Sequence, residues 1–368
     1  IDNAKFVLTV LVISEHFGSE RFVGPFLDFH VRTFCFISGF VSQSPARLGS
    51  LHHTTFRLAM PLLLWCAVVL PATGLLRGSR VPSPNILIGK AVETLFRAEA
   101  GSHTWYLFAL VCWRSWSLLL HPLRPWAQIT MALAASALGG YGELGENWLY
   151  TSKFGVFKFN MALACFPVYA VGLTFPATVF DRLDLVLPWG LRSVVVGLGL
   201  LALLLALQLS PAGMSFVDDV PPFGWAHLMT SFCGPKEVAL LWIRGLFKNL
   251  LELTKGLIFI FCCCPRKRVP LLSHVGRHTI YPYMLHLYAR EIWSDAVGGR
   301  TGLLQRVFEV SLLPVLVAVL LASAPVRWVF GPILEPLWLE RLLGSRTPMT
   351  RDVTAGSYGD PKAVRHSE

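Results

Sequence analysis

Apolar runs recur along the whole chain, and each is about 18 to 25 residues long, the length that crosses a bilayer as a helix. Within lipid, a single segment satisfies its own backbone hydrogen bonds only as a helix. We therefore predict an all-α, polytopic integral membrane protein with about ten transmembrane helices in one bundle. The predicted spans lie at about residues 3–18, 26–43, 58–77, 104–121, 126–143, 158–176, 185–209, 238–264, 276–294 and 309–331.

The composition supports a membrane protein rather than a nucleic-acid-binding one. Charged residues make up 15% of the chain and hydrophobic residues 54%, whereas soluble domains carry about 25% charged residues. The net charge is +10, but the arginines and lysines cluster in alternate loops, as the positive-inside rule describes. We therefore expect a multi-pass protein with both termini in the cytosol, a lipid bilayer as its surroundings and no nucleic-acid partner.

The chain reads as one membrane domain followed by a short tail. Residues 1–340 hold the predicted spans, and residues 341–368 are polar, which predicts a disordered C-terminal tail. No run of cysteines and histidines has the spacing of a metal site, so no metal is predicted.

Lys5 and His16 lie at the two ends of the first predicted span. Eleven residues of α-helix turn roughly 20° past three full turns, so both side chains share one face. At a rise of about 1.5 Å per residue they stand roughly 16 Å apart, about half the thickness of a hydrocarbon core. A cation near one surface and an imidazole deep in the same helix indicate a path across the membrane.

The predicted topology brings further histidines to the depth of His16. His30 begins the second span and His103 precedes Trp105 at the start of the fourth, both on the same side of the membrane. Asp2, Lys5, Arg57 and Arg277 mark the opposite level. This arrangement suits a transfer reaction in which an anionic donor docks on the cations and a histidine acts on the acceptor. Alternatively, the histidines are interfacial residues, Asp2 and Lys5 form a surface pair, and the arginines are positive-inside anchors.

A row of charged residues follows one side of the eighth span. The row comprises Arg244, Lys248, Glu252 and Lys255 at spacings of four, four and three residues. Such a row faces the bundle interior, a water-filled cavity or the interface. An amphipathic stretch in the interface and a donor-phosphate site both remain open.

Five short motifs resemble the acyltransferase-3 superfamily of integral-membrane O-acyltransferases, and within it the fucose 4-O-acetylase-like branch. Asp2–His16 resembles the family's first helix, in which Arg or Lys, ten residues and His form the signature. Phe29–Phe40 is similar to its aromatic-His second helix, and Phe56–Trp65 to its Arg-x-x-x-Pro entry. His103–Leu107 and Val275–His286 resemble its fourth helix and its late Gly-Arg-x-Thr…Tyr-x-x-His helix.

The resemblance implies about ten transmembrane helices, acetyl-CoA reached from the cytosol and an acetyl group passed to a carbohydrate hydroxyl. The family's functional Arg/Lys and His carry over to Lys5 and His16. Further family positions are matched by His30, Arg57, Trp105 and His286. Arg32 and the charged row of the eighth span depart from the family pattern, which leaves the substrate open.

The sequence thus predicts a membrane-bound, acetyl-CoA-dependent O-acetyltransferase with a carbohydrate or glycan acceptor. We assign His16 as the general base, or as a transiently acetylated group, and Lys5 as its catalytic partner. The donor phosphates are assigned to Lys5, Arg57 and Arg277. The acceptor side is assigned to His30, His103, Trp105 and His286. A secondary transporter or exporter of a small organic solute or glycan precursor also fits the same intramembrane charges.

Overall fold

The structure is a computed structural model, and it describes residues 1–19, 29–43, 55–69, 104–141, 159–208, 235–297 and 302–342. Within these ranges all regular structure is helical. In chain order the helices are α1 (Asp2–Ser14), α2 (Phe29–Val41), α3 (Met60–Leu64), α4 (Trp105–Leu120), α5 (Pro125–Tyr141), α6 (Phe159–Thr174), α7 (Thr178–Val186), α8 (Leu191–Gln208), α9 (Pro235–Ile258), α10 (Pro270–Arg277), α11 (Ile280–Val297), α12 (Leu303–Leu321), α13 (Ala324–Leu334) and α14 (Leu337–Leu342).

Several helices continue into wider π-helical turns. One follows α1 at Glu15–Ser19, two flank α3 at Thr55–Ala59 and Trp65–Val69, and one follows α9 at Phe259–Cys263. A π turn adds a residue to the repeat and so changes the direction of the side chains after it, and such turns are frequent at functional sites. The prediction that Lys5 and His16 share one face assumed an uninterrupted α-helix. The π turn that begins at Glu15 changes the direction of the His16 side chain from that ideal.

Each of the ten predicted spans overlaps a described helix, but the boundaries differ. The tenth prediction, 309–331, runs across the break between α12 and α13, where Pro325 begins a new helix. Among the described helices, Leu304–Leu321 is the one that is long and apolar enough to cross a bilayer by itself. The pair Ala162–Thr174 and Thr178–Val186, bent by 75°, adds a second if it forms one span. The predicted tail is outside the described residues from residue 343 on.

The closest helix packing in the described part joins α2 to α6. A Cβ added at Gly39 would overlap the carbonyl oxygen of Tyr169, and a Cβ added at Gly172 would overlap that of Phe36. In lipid the hydrophobic effect does not drive helices together, so they associate through close packing. Small residues permit this because they let the two backbones approach. Tyr169 and Phe36 are themselves buried beside Trp113 of α4, so these three helices form one apolar core.

Helix α1 lies inside the bundle and is held at both ends by polar contacts. At its start, the Asn3 side-chain nitrogen donates to the carbonyl oxygens of Pro265 and Lys267, both at 2.7 Å. At its end, the Ser14 hydroxyl donates to the carbonyl oxygen of Val310 at 2.7 Å. Helix α1 therefore carries its charged and titratable residues in a fixed position between the other helices.

Candidate active site

The end of α1 and the start of α2 are joined by a carboxylate–imidazole pair. His30 Nε2 lies 3.0 Å from Glu15 Oε2, and the His30 side chain is almost completely buried. Glu15 is the first residue of the π turn after α1. In an uninterrupted α-helix Glu15 and His16 point about 100° apart, and each residue here reaches a different helix.

His16 packs against His286 of α11. The ring centroids are 5.1 Å apart and the ring planes are inclined by 35°. His16 is half-buried and His286 is fully buried. We call Glu15, His16, His30 and His286 together the histidine end of the site.

The backbone of α11 determines the tautomer of His286. Its Nδ1 lies 3.0 Å from the carbonyl oxygen of Pro282 and 2.8 Å from that of Tyr283. Carbonyl oxygens only accept hydrogen bonds, so Nδ1 carries the proton and donates. The neutral ring then has its lone pair on Nε2 and acts there as an acceptor.

At the other end of α1, two cations share one carboxylate. Lys5 Nζ lies 3.7 Å from Asp2 Oδ1, and Arg277 Nε lies 3.4 Å from Asp2 Oδ2. All three side chains are partly exposed, with 27%, 34% and 48% of the side chain accessible for Lys5, Asp2 and Arg277 respectively. Gly276 allows this approach because a Cβ there would overlap the Asp2 carbonyl oxygen. We call Asp2, Lys5 and Arg277 the cationic end.

The two ends are connected by two helical segments that run in the same direction. On α1 the chain passes from Lys5 to His16, and on α10 and α11 it passes from Arg277 to His286. Arg277 meets Asp2 at the start of α1 and His286 meets His16 at its end. At about 1.5 Å per residue, Lys5 and His16 are separated by roughly 16 Å along the first segment. Arg277 and His286 are separated by the start of α11 and the short break before it.

Aromatic residues connect α4 to the same region. Trp105 is half-buried and packs edge-on against Tyr106, with ring centroids 5.7 Å apart. The Tyr106 hydroxyl is 2.8 Å from the Ser38 hydroxyl of α2, and its ring lies 5.8 Å from that of Tyr283 on α11. The serine of the second motif and the tyrosine of the fourth thus meet in space.

Of the predicted site residues, Arg57 is not brought to this group, and one other cannot be placed. Arg57 is exposed on the π turn before α3, whose helix packs beside α4 and α13. In the described ranges Arg57 forms no ion pair, whereas Lys5 and Arg277 share Asp2. His103 lies outside the described residues.

Glu15 is a site residue that the sequence did not reveal. Its position beside His16 was visible, but an ideal α-helix points it away from that ring, and its partner proved to be a different histidine. The sequence did contain a signal for the Glu15–His30 pair. The predicted topology places the end of the first helix and His30, at the start of the second, at the same depth.

The charged row of α9 has two of its members inside the bundle. Glu252 Oε1 lies 2.7 Å from Lys255 Nζ, and both side chains are buried. Nearby, the fully buried Arg32 of α2 donates from Nε to Asn249 Oδ1 at 3.1 Å. The sequence left open whether the row faces the bundle interior, a water-filled cavity or the interface. Glu252 and Lys255 lie in the bundle interior.

These groups give the site a cationic end suited to phosphate and a histidine end suited to proton transfer. Across the described ranges, no three His, Cys, Asp or Glu side chains are grouped to hold a metal ion. The family model for Acyl_transf_3, described as an acyltransferase domain, matches residues 1–331, which include every site residue named above. No curated protein matches the chain, and neither does any solved structure.

Proposed function

The chain belongs to the acyltransferase-3 family, and from this premise we propose that it is a membrane-bound O-acetyltransferase. It uses acetyl-CoA as the donor and the hydroxyl of a carbohydrate or glycan as the acceptor. The family is membrane-associated and its members transfer acyl groups.

One observation carries the proposal. The cations lie at one end of a pair of parallel helical segments, and the histidines lie at the other end of the same pair. A donor that is negatively charged at one end and carries a thioester at the other can contact both groups. Lys5 and Arg277 would bind its phosphates, with Arg277 offering the planar fork that suits them. Arg57 remains a candidate for the outer part of the donor, because its side chain is exposed on the π turn before α3.

At the histidine end, His16 accepts the proton of the acceptor hydroxyl through a ring nitrogen. The hydroxyl oxygen then attacks the thioester carbonyl carbon, and the carbon–sulfur bond breaks. The imidazolium of His16 returns its proton to the departing sulfur, which leaves as the CoA thiol. A positioned general base of this kind contributes about 10²- to 10⁴-fold to a rate.

The other residues hold the acceptor and the base in place. His286 is a polar neighbour of His16 whose Nε2 accepts, so a hydroxyl or an N–H group can donate to it. Trp105 presents an aromatic ring on which a sugar face can stack, while Glu15 fixes the orientation of His30. His103 belongs to the same proposed acceptor side. With the cationic end in the cytosol, acetyl-CoA binds from that side and both chain termini are cytosolic.

The test is acetyl transfer by the purified protein in detergent, followed as release of free CoA thiol and as labelled acetyl groups on a panel of sugars. His16→Ala is expected to lower the rate at least about 100-fold, because it removes the base. The matched control is His274→Gln, an exposed histidine on α10.

Near-normal transfer by His16→Ala would show that another group is the base. If the unaltered protein releases no thiol with any sugar, and labelled solute crosses proteoliposomes that contain it, the protein is a transporter instead.

A further inference from the structure

A polar group joins the end of α11 to the start of α12 and takes no part in the chemistry described above. The Trp293 indole nitrogen donates to Glu309 Oε1 at 2.9 Å, and the Gln305 side-chain nitrogen donates to the same oxygen at 2.8 Å. Glu309 lies within Leu304–Leu321, the segment of α12 that is long and apolar enough to cross a bilayer. A carboxylate in such a segment is costly, so its presence indicates a role.

The contacts of α1 place this group at the histidine end. The residue after Glu309 accepts a hydrogen bond from the last residue of α1 at 2.7 Å, so Glu309 is level with the end of α1, two residues before His16. Phe17, in the π turn that carries His16, is buried in an apolar cluster against which Trp293 packs. The turn that carries His16 and the Trp293–Glu309 pair therefore lie at the same end of the bundle.

On α11, His286 and Trp293 lie on the same face. They are seven residues apart in one helix, which is about 20° short of two full turns and roughly 10 Å along the axis. His286 contacts His16, and Trp293 lies further toward the end of α11. The same face of α11 therefore leads from the His16–His286 pair to Trp293.

The end of α11 has the surface of a segment in water rather than in lipid. Residues 290–296 are exposed apart from Trp293, and most of them are charged or polar. The charged and polar ones are Arg290, Glu291, Ser294 and Asp295. Lipid does not accommodate such a set of side chains. Trp293 and Glu309 are half-buried beside them, and because the donor enters at the cationic end, this is the end from which the acceptor arrives.

The direction of the hydrogen bonds leaves the Glu309 carboxylate able to bind a ligand. Trp293 and Gln305 both donate to Oε1, and among the residues that the structure describes no group donates to Oε2. A carboxylate only accepts hydrogen bonds, so its ligand must donate them, as a sugar hydroxyl does. The Trp293 ring beside it supplies an apolar surface against which the C–H face of a sugar ring packs.

We propose that Trp293, Glu309 and Gln305 form an acceptor subsite for a neutral sugar ring. Glu309 accepts from the sugar hydroxyls, Gln305 positions Glu309, and Trp293 packs against the ring. This inference rests on the proposed acetyl transfer, since it names the class of acceptor for that reaction. An acidic sugar is disfavoured, because its carboxylate has no hydrogen to donate and is repelled by Glu309. A network that only joined α11 to α12 would change stability when altered and would give no such preference.

Ligand binding tests the proposal without any need for catalysis. The full chain in detergent is titrated with the methyl glycosides of glucose, galactose and mannose, and with those of the three corresponding uronic acids, at matched ionic strength. Binding is followed by the rise in unfolding temperature. At least one neutral glycoside is expected to bind about tenfold more tightly than its acidic counterpart.

Two variants assign the preference to Glu309. Glu309→Gln keeps an oxygen that can accept from Trp293 and Gln305, so α11 and α12 stay joined. It is expected to weaken the binding of the neutral glycoside about tenfold and to reduce its preference over the acidic one to less than about threefold. Asp295→Asn is the matched control, because it removes an equal charge from an exposed position two residues after Trp293, and it should change neither value.

Three results would overturn the proposal. They are equal binding of neutral and acidic glycosides by the unaltered protein, no binding of any neutral glycoside, and a preference that Glu309→Gln leaves intact. None of them bears on the release of CoA thiol, which tests the proposed function separately. A protein that acetylates sugars while Glu309→Gln binds them normally has the proposed function without this subsite.

Discussion

Glu15 and His16 are neighbours in the chain, yet they reach different helices because a π turn begins at Glu15. Glu15 contacts His30 on α2, and His16 contacts His286 on α11. His30 and His286, which come from distant segments, therefore both lie beside the π turn that follows α1. A carboxylate beside an imidazole fixes its orientation, and the carbonyl oxygens beside His286 fix its tautomer. His30 and His286 are therefore each held by specific polar neighbours, and His16 packs against the ring of His286.

Asp2 gives a prediction at the same scale, because it partly neutralises both cations of the donor end. Asp2→Asn removes that carboxylate while keeping its shape, so Lys5 and Arg277 should attract the donor phosphates more strongly. Because all three side chains are partly exposed, solvent screens the effect and we expect the KM for acetyl-CoA to fall only about two- to fivefold. Steady-state kinetics at low ionic strength measures it, and a rise in KM would show that Asp2 orients the cations instead.

Much of the site could be predicted at the residue scale, and the exceptions have physical causes. Lys5 and His16 followed from one helical repeat, and Arg277 lies at the predicted level of Lys5. Glu15 could not be assigned because the repeat assumed an ideal α-helix up to residue 18. The partners of Arg32 and Glu252 could not be chosen either, since which face of α9 meets α2 depends on packing that single-chain periodicity does not contain.

At the scale of helices, glycine determines how α2 meets α6. Gly39 and Gly172 each face a backbone carbonyl of the opposite helix, and the neighbouring Ser38 of α2 contacts Tyr106 of α4. The apolar runs predicted these helices correctly in order and approximate position. They did not predict the break after α12, because the apolar run continues through it. They did not predict α7 either, since this helix carries Asp181, Arg182 and Asp184 and lies mostly between the sixth and seventh predicted spans.

Gly39→Ala tests this contact directly. The added methyl group would overlap the Tyr169 carbonyl, so the helices must separate, and we expect the protein to lose about 1–3 kcal/mol of stability. Gly199→Ala is the matched control, since nothing lies within 4 Å of that position on α8. There alanine should be neutral or stabilise the helix by up to about 1 kcal/mol. Thermal unfolding in detergent compares the two, and equal stability would contradict the packing described.

For the molecule as a whole, the direction of the helices links the fold to membrane topology. Helix α1 and the α10–α11 segment run in parallel, as the first and ninth of ten alternating spans must. The parallel direction fits the predicted alternation of the spans, and the predicted orientation, in which the loop at residues 44–57 is cytosolic, stays a prediction. The positive-inside pattern predicted it from loop cations, whereas the pairing of distant helices could be found only from the folded bundle.

Reporter fusions test that topology. A fusion within residues 44–54 is expected to report the cytosol, and one within residues 298–301 the opposite side, because seven predicted spans, an odd number, separate the two loops. A fusion in the tail after residue 343 should report the cytosol again. If the first two fusions report the same side, the number of spans between them is wrong and the donor cannot be assigned to the cytosolic face.

In the proposed mechanism, one pair of helical segments binds the donor phosphates at one end and moves the proton at the other. The most direct measurement is steady-state acetyl transfer with varied acetyl-CoA for Lys5→Gln and His16→Gln, beside Arg124→Gln as the control. We predict that Lys5→Gln raises the KM for acetyl-CoA about tenfold with little change in kcat. His16→Gln should lower kcat at least about 100-fold with little change in KM. A result in which both variants change the same constant, or neither changes any, would contradict the account.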